Sequence, residues 1–76
     1  MTGLVLDCRG QRCPQPILKL ARHIGALDIG ATIAVDADDP AAGPDIAAWC
    51  RMRGHEFVTQ TVAEDGTPRF VVRRRG

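Results

Sequence analysis

The sequence predicts an α/β two-layer sandwich, βαβαββ, with a mixed four-stranded sheet and both helices on one face. Three observations predict it. A short apolar run precedes a helical stripe twice, first around Leu4–Ile24 and again around Thr32–Arg53. Two further strand-like runs then flank Glu64-Asp65-Gly66, a hairpin turn. The chain has 76 residues, enough for one small domain (1–76) around one modest core.

The elements follow in order. Leu4-Val5-Leu6 is the first strand, an apolar run that stops at turn residues. Pro14 to Ile24 is the first helix, because Ile17, Leu20, Ala21 and Ile24 recur at i, i+3, i+4 and i+7. Lys19, Arg22 and His23 fall on its wet side, and Gly25 and Gly30 bracket its exit. Thr32-Ile33-Ala34-Val35 is the second strand, broken by Asp38-Asp39-Pro40. A second helix is firm over Pro44–Arg53, since a proline beyond the first turn removes a hydrogen bond. Ile46, Trp49 and Cys50 share its inner face, and Gly54 suits the position just past its end. Glu56–Val62 and Arg69–Arg73 are the last two strands, and Arg74-Arg75-Gly76 reads as a loose tail. Right-handed crossovers make the first three strands point the same way, and the hairpin turns the fourth against them. The loops after strands one and two then leave the same end of the sheet, where open α/β sheets place their sites.

Composition excludes several classes. Hydrophobic content of 45% with 25% charged residues is that of a soluble globular chain. The net charge is +1, so no global field draws the chain to nucleic acid or membrane. No segment approaches the ~18 apolar residues of a membrane helix, and no leader-like run stands at the N-terminus, so a cytoplasmic setting is expected. Three cysteines give no disulfide framework and read as free thiols in a reducing compartment.

Asp7-Cys8-Arg9-Gly10-Gln11-Arg12-Cys13-Pro14-Gln15-Pro16 is where chemistry concentrates. It reads as a strand end, a tight turn and a cysteine at the mouth of a helix. Pro14 suits the first helical position, where a missing N–H is no loss. Cys13 then sits at or beside the cap, facing the positive end of the helix dipole. Such a position lowers a cysteine pKa, and Arg9 and Arg12 add positive charge, so the thiol is expected below its free value. Gly10 permits the turn. Topology brings Asp38 and Asp39 to the same edge, where they would oppose that activation.

The pattern Asp-x-x-Gly-x-x-Cys-Pro-x-Pro, spanning Asp7 to Pro16, resembles the signature of the TusA/SirA family of small sulfur carriers. The likeness continues through Asp38-Asp39-Pro40, Asp45-Ile46, Trp49-Cys50 and Gly54-His55-Glu56, so it covers nearly the whole chain. It implies a persulfide on Cys13, supported by Arg9, Gly10, Arg12, Pro14 and Pro16. It also implies a cysteine desulfurase or rhodanese-type donor, an acceptor relay protein, and tRNA thiolation as the usual destination. No metal or organic cofactor is implied. Gln11 stands where many relatives carry leucine, and Cys8 where relatives often lack a cysteine.

The remaining candidates have blander readings. Cys50 reads as core, and Cys8 as a strand-end side chain rather than a resolving thiol, because Cys-x-x-x-x-Cys is no recognised redox spacing. Zinc is disfavoured, since structural sites pair ligands two to four residues apart. His23 reads as solvated and His55 as part of a turn. Asp38 and Asp39 suit capping better than acid–base work. Arg73-Arg74-Arg75 lacks interleaved aromatics and is weak evidence for nucleic acid. The rival to a carrier is a non-catalytic RNA- or protein-binding regulatory module of the same fold.

Overall fold

The structure, a computed structural model, describes residues 4–76. Its elements are β1 (Val5–Asp7), α1 (Gln15–Ile24), β2 (Thr32–Asp36), α2 (Ala42–Arg53), β3 (Glu56–Val62) and β4 (Pro68–Arg73). The sheet order is β1-β2-β4-β3. β1 pairs parallel with β2, with Leu6 opposite Val35. β4 runs antiparallel to both β2 and β3, with Val35 opposite Phe70 and Phe57 opposite Val72. β3 therefore points the same way as β1 and β2, but β4 lies between β2 and β3. A register shift between Phe57 and Thr59 interrupts the β3–β4 ladder.

Both helices cover one face of this sheet. Leu6, Ile33, Val35, Phe70 and Val72 from the strands meet Leu20 and Ile24 of α1 and Ile46, Trp49 and Cys50 of α2 in one core. In α1 the stripe is turned slightly from its expected setting. Pro16, Leu20 and Ile24 are buried, while Ile17 and Ala21 pack at the margin.

The helix starts differ from expectation for reasons of proline chemistry. α1 begins at Gln15, with Pro14 as its N-cap. α2 begins at Ala42, two residues before Pro44. Pro44 is then the third residue of the helix, among the first four, whose N–H groups have no intrahelical partner. Gly54 ends α2 with φ +77°, a left-handed conformation that glycine adopts without a Cβ penalty.

Gly43 sets how closely α2 approaches β4. A Cβ at that position would lie 3.0 Å from Cε1 of the buried Phe70 ring. Without a Cβ, Gly43 lets the first turn of α2 lie close to the ring, and that turn borders the site.

The C-terminal tail is held, not loose. Arg74 N–H donates to the Ala31 carbonyl at 2.9 Å, and Gly30 N–H donates to the Arg74 carbonyl at 2.7 Å. Its guanidinium donates to the Gly25 and Leu27 carbonyls. Arg73 and Arg75 both pair with Glu56, at 2.9 and 2.8 Å. This was not legible in the sequence, because the acceptors are backbone carbonyls in a distant loop and one carboxylate on the neighbouring strand, Glu56 opposite Arg73. Among the described residues, no helix is long and apolar enough to cross a membrane.

Candidate functional site

The loop after β1 and the loop after β2 are stitched together by the two aspartates. Gly10 N–H donates to Asp38 Oδ1 at 3.1 Å, and Gly10 holds φ +76° to present it. Cys13 N–H donates to Asp39 Oδ2 at 2.9 Å. The other Asp39 oxygen accepts Ala41 N–H at 3.1 Å, so one carboxylate both leads into α2 and anchors the cysteine. Two backbone donors hold the Asp39 carboxyl below its usual range, the Cys13 N–H contributing most. A cleft of about 260 Å³ lies between the loops, lined by Gly10, Gln11, Arg12, Asp38, Asp39 and Pro40. Cys13 follows directly, and its residue is exposed.

The electrostatics at Cys13 are the reverse of the expected ones. Its thiol is pushed above its ordinary value, first by the Asp45 carboxylate, then by desolvation and by the negative charge of Asp39. Arg9 does not offset them. Its Nε meets Asp7 Oδ1 at 2.9 Å and its Nη1 meets Asp65 Oδ2 at 2.7 Å, which ties the guanidinium to the β3–β4 turn. Arg12 lines the cleft, where its charge acts on Asp39.

The helix mouth also has little to offer the sulfur. Pro14 and Pro16 carry no N–H, and Gln15 N–H is already given to the Arg12 carbonyl at 2.8 Å. Two prolines flanking one residue remove two of the four first-turn donors that could stabilise a thiolate. The Cys13–Pro14 peptide is cis.

The other two cysteines are inside. Cys8 is 0% exposed and Cys50 is 1% exposed. Burial raises the Cys8 thiol and pushes Cys50 up to about 11. Cys13 is thus the one exposed thiol of the three. Among the described residues, no group of three or more His, Cys, Asp or Glu is placed to hold a metal ion.

The family model for the sulfurtransferase TusA matches residues 4–74. The chain belongs to the TusA family. A crystal structure of a SirA-like protein from Desulfitobacterium hafniense superimposes with a TM-score of 0.82, covering 97% of this chain and 100% of that one. Identity over that match is 16%, so it speaks for the fold.

In this TusA-family chain, the β1–α1 and β2–α2 loops bring Gly10, Cys13, Asp38 and Asp39 together as topology requires. Pro14 caps α1, and Pro16 is buried beneath its first turn. Arg9 sits apart, in its own ion-pair network. Sequence reading placed Asp45 within the family likeness but gave it no part in the site; it stands in the first turn of α2. Its signal was present: an acidic residue six positions after Asp39, in a helix that starts at the same end of the sheet.

The histidines lie elsewhere. His23 Nδ1 sits 2.8 Å from the Lys19 carbonyl. His55 stacks on Trp49 at 5.3 Å between ring centroids, and its Nδ1 accepts Arg75 N–H at 3.1 Å.

Proposed function

We propose that this chain is a sulfur carrier that takes sulfane sulfur onto Cys13 as a persulfide and relays it to an acceptor protein. The observation that carries the reading is the exposure of Cys13 while Cys8 and Cys50 are sealed in the core. Membership of the TusA sulfurtransferase family supports it.

The step is thiol exchange. The Cys13 thiolate attacks the outer sulfur of a donor's cysteine persulfide. A new S–S bond forms at Cys13, the donor's S–S bond breaks, and its electron pair leaves on the donor's inner sulfur, which takes up the proton Cys13 gave up. The rate follows thiolate fraction, access and the leaving thiol. Loading takes place where a donor docks against the exposed Cys13. That fits a carrier without turnover of its own, needing neither metal nor organic cofactor. The donor is a cysteine desulfurase or rhodanese-type protein. The destination is tRNA thiolation or related sulfur trafficking, in the cytoplasm.

A direct nucleic-acid role is disfavoured, because Arg73, Arg74 and Arg75 are all engaged with Glu56 or backbone carbonyls. Incubation with a persulfide donor followed by intact mass tests the reading. Wild-type protein is expected to gain one sulfur atom, reversibly with a reducing thiol. Unchanged mass with every desulfurase and rhodanese donor, together with salt-sensitive RNA binding, would establish the regulatory module instead.

A further inference from the structure

The sheet order β1-β2-β4-β3 gives β3 a neighbour on one side and leaves its other edge open among the described residues. Every residue from Val58 to Val62 is exposed, with Val58 at 36% and Val62 at 64%. Proteins usually blunt such an edge with a charge, a proline or a bulge. The run Phe57–Val62 contains neither charge nor proline. Its register shift lies between Phe57 and Thr59, before the regular ladder from Thr59 to Val62.

The phase of the open backbone groups follows from the hairpin. Ala63 N–H donates to the Thr67 carbonyl at 2.8 Å. In an antiparallel pair, every second residue turns its N–H and C=O toward the neighbouring strand. Thr61 and Thr59 therefore face β4, while Gln60 and Val62 face outward. The Gln60 carbonyl meets the Thr59 hydroxyl at 3.4 Å, long for a hydrogen bond, and keeps a lone pair for a better donor.

The edge is also self-complementary, because Val58-Thr59-Gln60-Thr61-Val62 reads the same in both directions. We propose that β3 is a homodimerisation edge, which pairs antiparallel with β3 of a second copy about a twofold axis at Gln60. The two Gln60 residues then exchange both N–H···O bonds, as a hydrogen-bonded pair does. Thr59 of each copy stands opposite Thr61 of the other, a favourable cross-strand pair, and the exposed valines meet at the flanks. The ends match in charge. At the start of β3, Glu56 is joined to both Arg73 and Arg75, one carboxylate against two guanidiniums. Past its end stands Glu64, exposed and without an ion pair among the described residues. The twofold brings the arginine-rich start of each strand to the Glu64 end of the other, and does so twice.

Such an interface is isologous and closes at two copies. The remaining edge, β1, is three residues long and too short to extend the sheet further. Cys13 follows β1, at the opposite edge from β3, so pairing leaves both thiols exposed. An axis perpendicular to the sheet sets them at opposite ends of the dimer.

Sedimentation equilibrium of the full chain tests this, in reducing buffer so that no disulfide joins two Cys13 thiols. The wild-type mass is expected to rise from one chain toward two with concentration. Gln60→Lys and Gln60→Glu each set like charges face to face on the axis, and each is expected to weaken dimerisation at least about tenfold. An equimolar mixture of the two variants is expected to regain dimer, because lysine then faces glutamate; loss of structure in either would not give that recovery. A wild type that stays monomeric at millimolar concentration would overturn the inference and leave the edge to an extended segment of another protein. A dimer indifferent to both substitutions, or a mixture that stays monomeric, would overturn it as well. Sulfur loading of Cys13 does not depend on the pairing, so each reading stands or falls by its own measurement.

Discussion

Replacing Gly43 with alanine pits two opposed effects against each other, and the structure decides the sign. Alanine in a helix interior is favoured over glycine by about 1 kcal/mol, less so near a helix end. Gly43 is the second residue of α2, so the gain is at the low end, roughly 0.5 kcal/mol. Against it stands the Phe70 ring, with Cε1 at 3.0 Å and Cζ at 3.4 Å from the new Cβ. That ring is 3% exposed and packs on Phe57 at 6.3 Å between centroids, so it cannot swing into solvent. Overpacking of this kind costs typically 1–3 kcal/mol. The net expectation for Gly43→Ala is a loss of about 1–2 kcal/mol. For a domain of this size that lowers Tm by about 4–8 °C per kcal/mol. The consequence reaches the site, since relief of the clash moves the first turn of α2, beside the Asp39 carboxylate that accepts both Ala41 N–H and Cys13 N–H. Thermal unfolding followed by circular dichroism is the assay. An unchanged or raised Tm would mean that the ring yields freely and that Gly43 does not set the α2–β4 spacing.

Cys50→Ala should cost about 1 kcal/mol in urea unfolding, through a small cavity beside Ile46 and Trp49, and leave sulfur loading intact; an unaltered midpoint would contradict the packing. Acid should destabilise the fold in two stages. His55 is held below its usual value by burial and by Arg74 and Arg53, so its contribution is complete above about pH 6.5 and is lost as pH falls through the lower folded value. Asp39 is likewise depressed, so its contribution is complete above about pH 4 and is lost below it. The stability gap between wild type and Asp39→Asn should therefore narrow between pH 5 and pH 2, and a gap that widens would reverse the assignment.

The fold was legible because two periodicities alternate cleanly along the chain. Leu20 and Ile24 mark one buried stripe, Ile46, Trp49 and Cys50 the other, and Glu64-Asp65-Gly66 the single hairpin. Topology alone also brought Asp38 and Asp39 to the Cys13 loop. What sequence did not reveal was the sign of the field at the sulfur. Local reading counts charges by proximity in the chain, and so gave Cys13 the benefit of Arg9 and Arg12. In three dimensions Arg9 finds Asp65 across 56 positions, and Asp45 arrives from the next helix. The helix-mouth argument failed for a more local reason. Prolines at 14 and 16 remove two of the four N–H groups through which a helix start acts on an anion, and Gln15 spends its own on the Arg12 carbonyl. The tail was misjudged because arginines next to the terminus look solvated unless their acceptors are known.

The central claim is that Cys13 is the residue that bears the sulfane sulfur. Wild type, Cys13→Ser, Cys8→Ser and Cys50→Ser are each incubated with a persulfide donor and weighed intact, with folding confirmed by circular dichroism. Serine is near-isosteric, and Cys13 is exposed, so Cys13→Ser should fold normally. Its unactivated hydroxyl cannot displace a persulfide's sulfur at neutral pH. The account predicts one added sulfur atom on wild type, Cys8→Ser and Cys50→Ser, and none on Cys13→Ser. A folded Cys13→Ser protein that still gains sulfur, or a loss of the gain confined to Cys8→Ser, would contradict it.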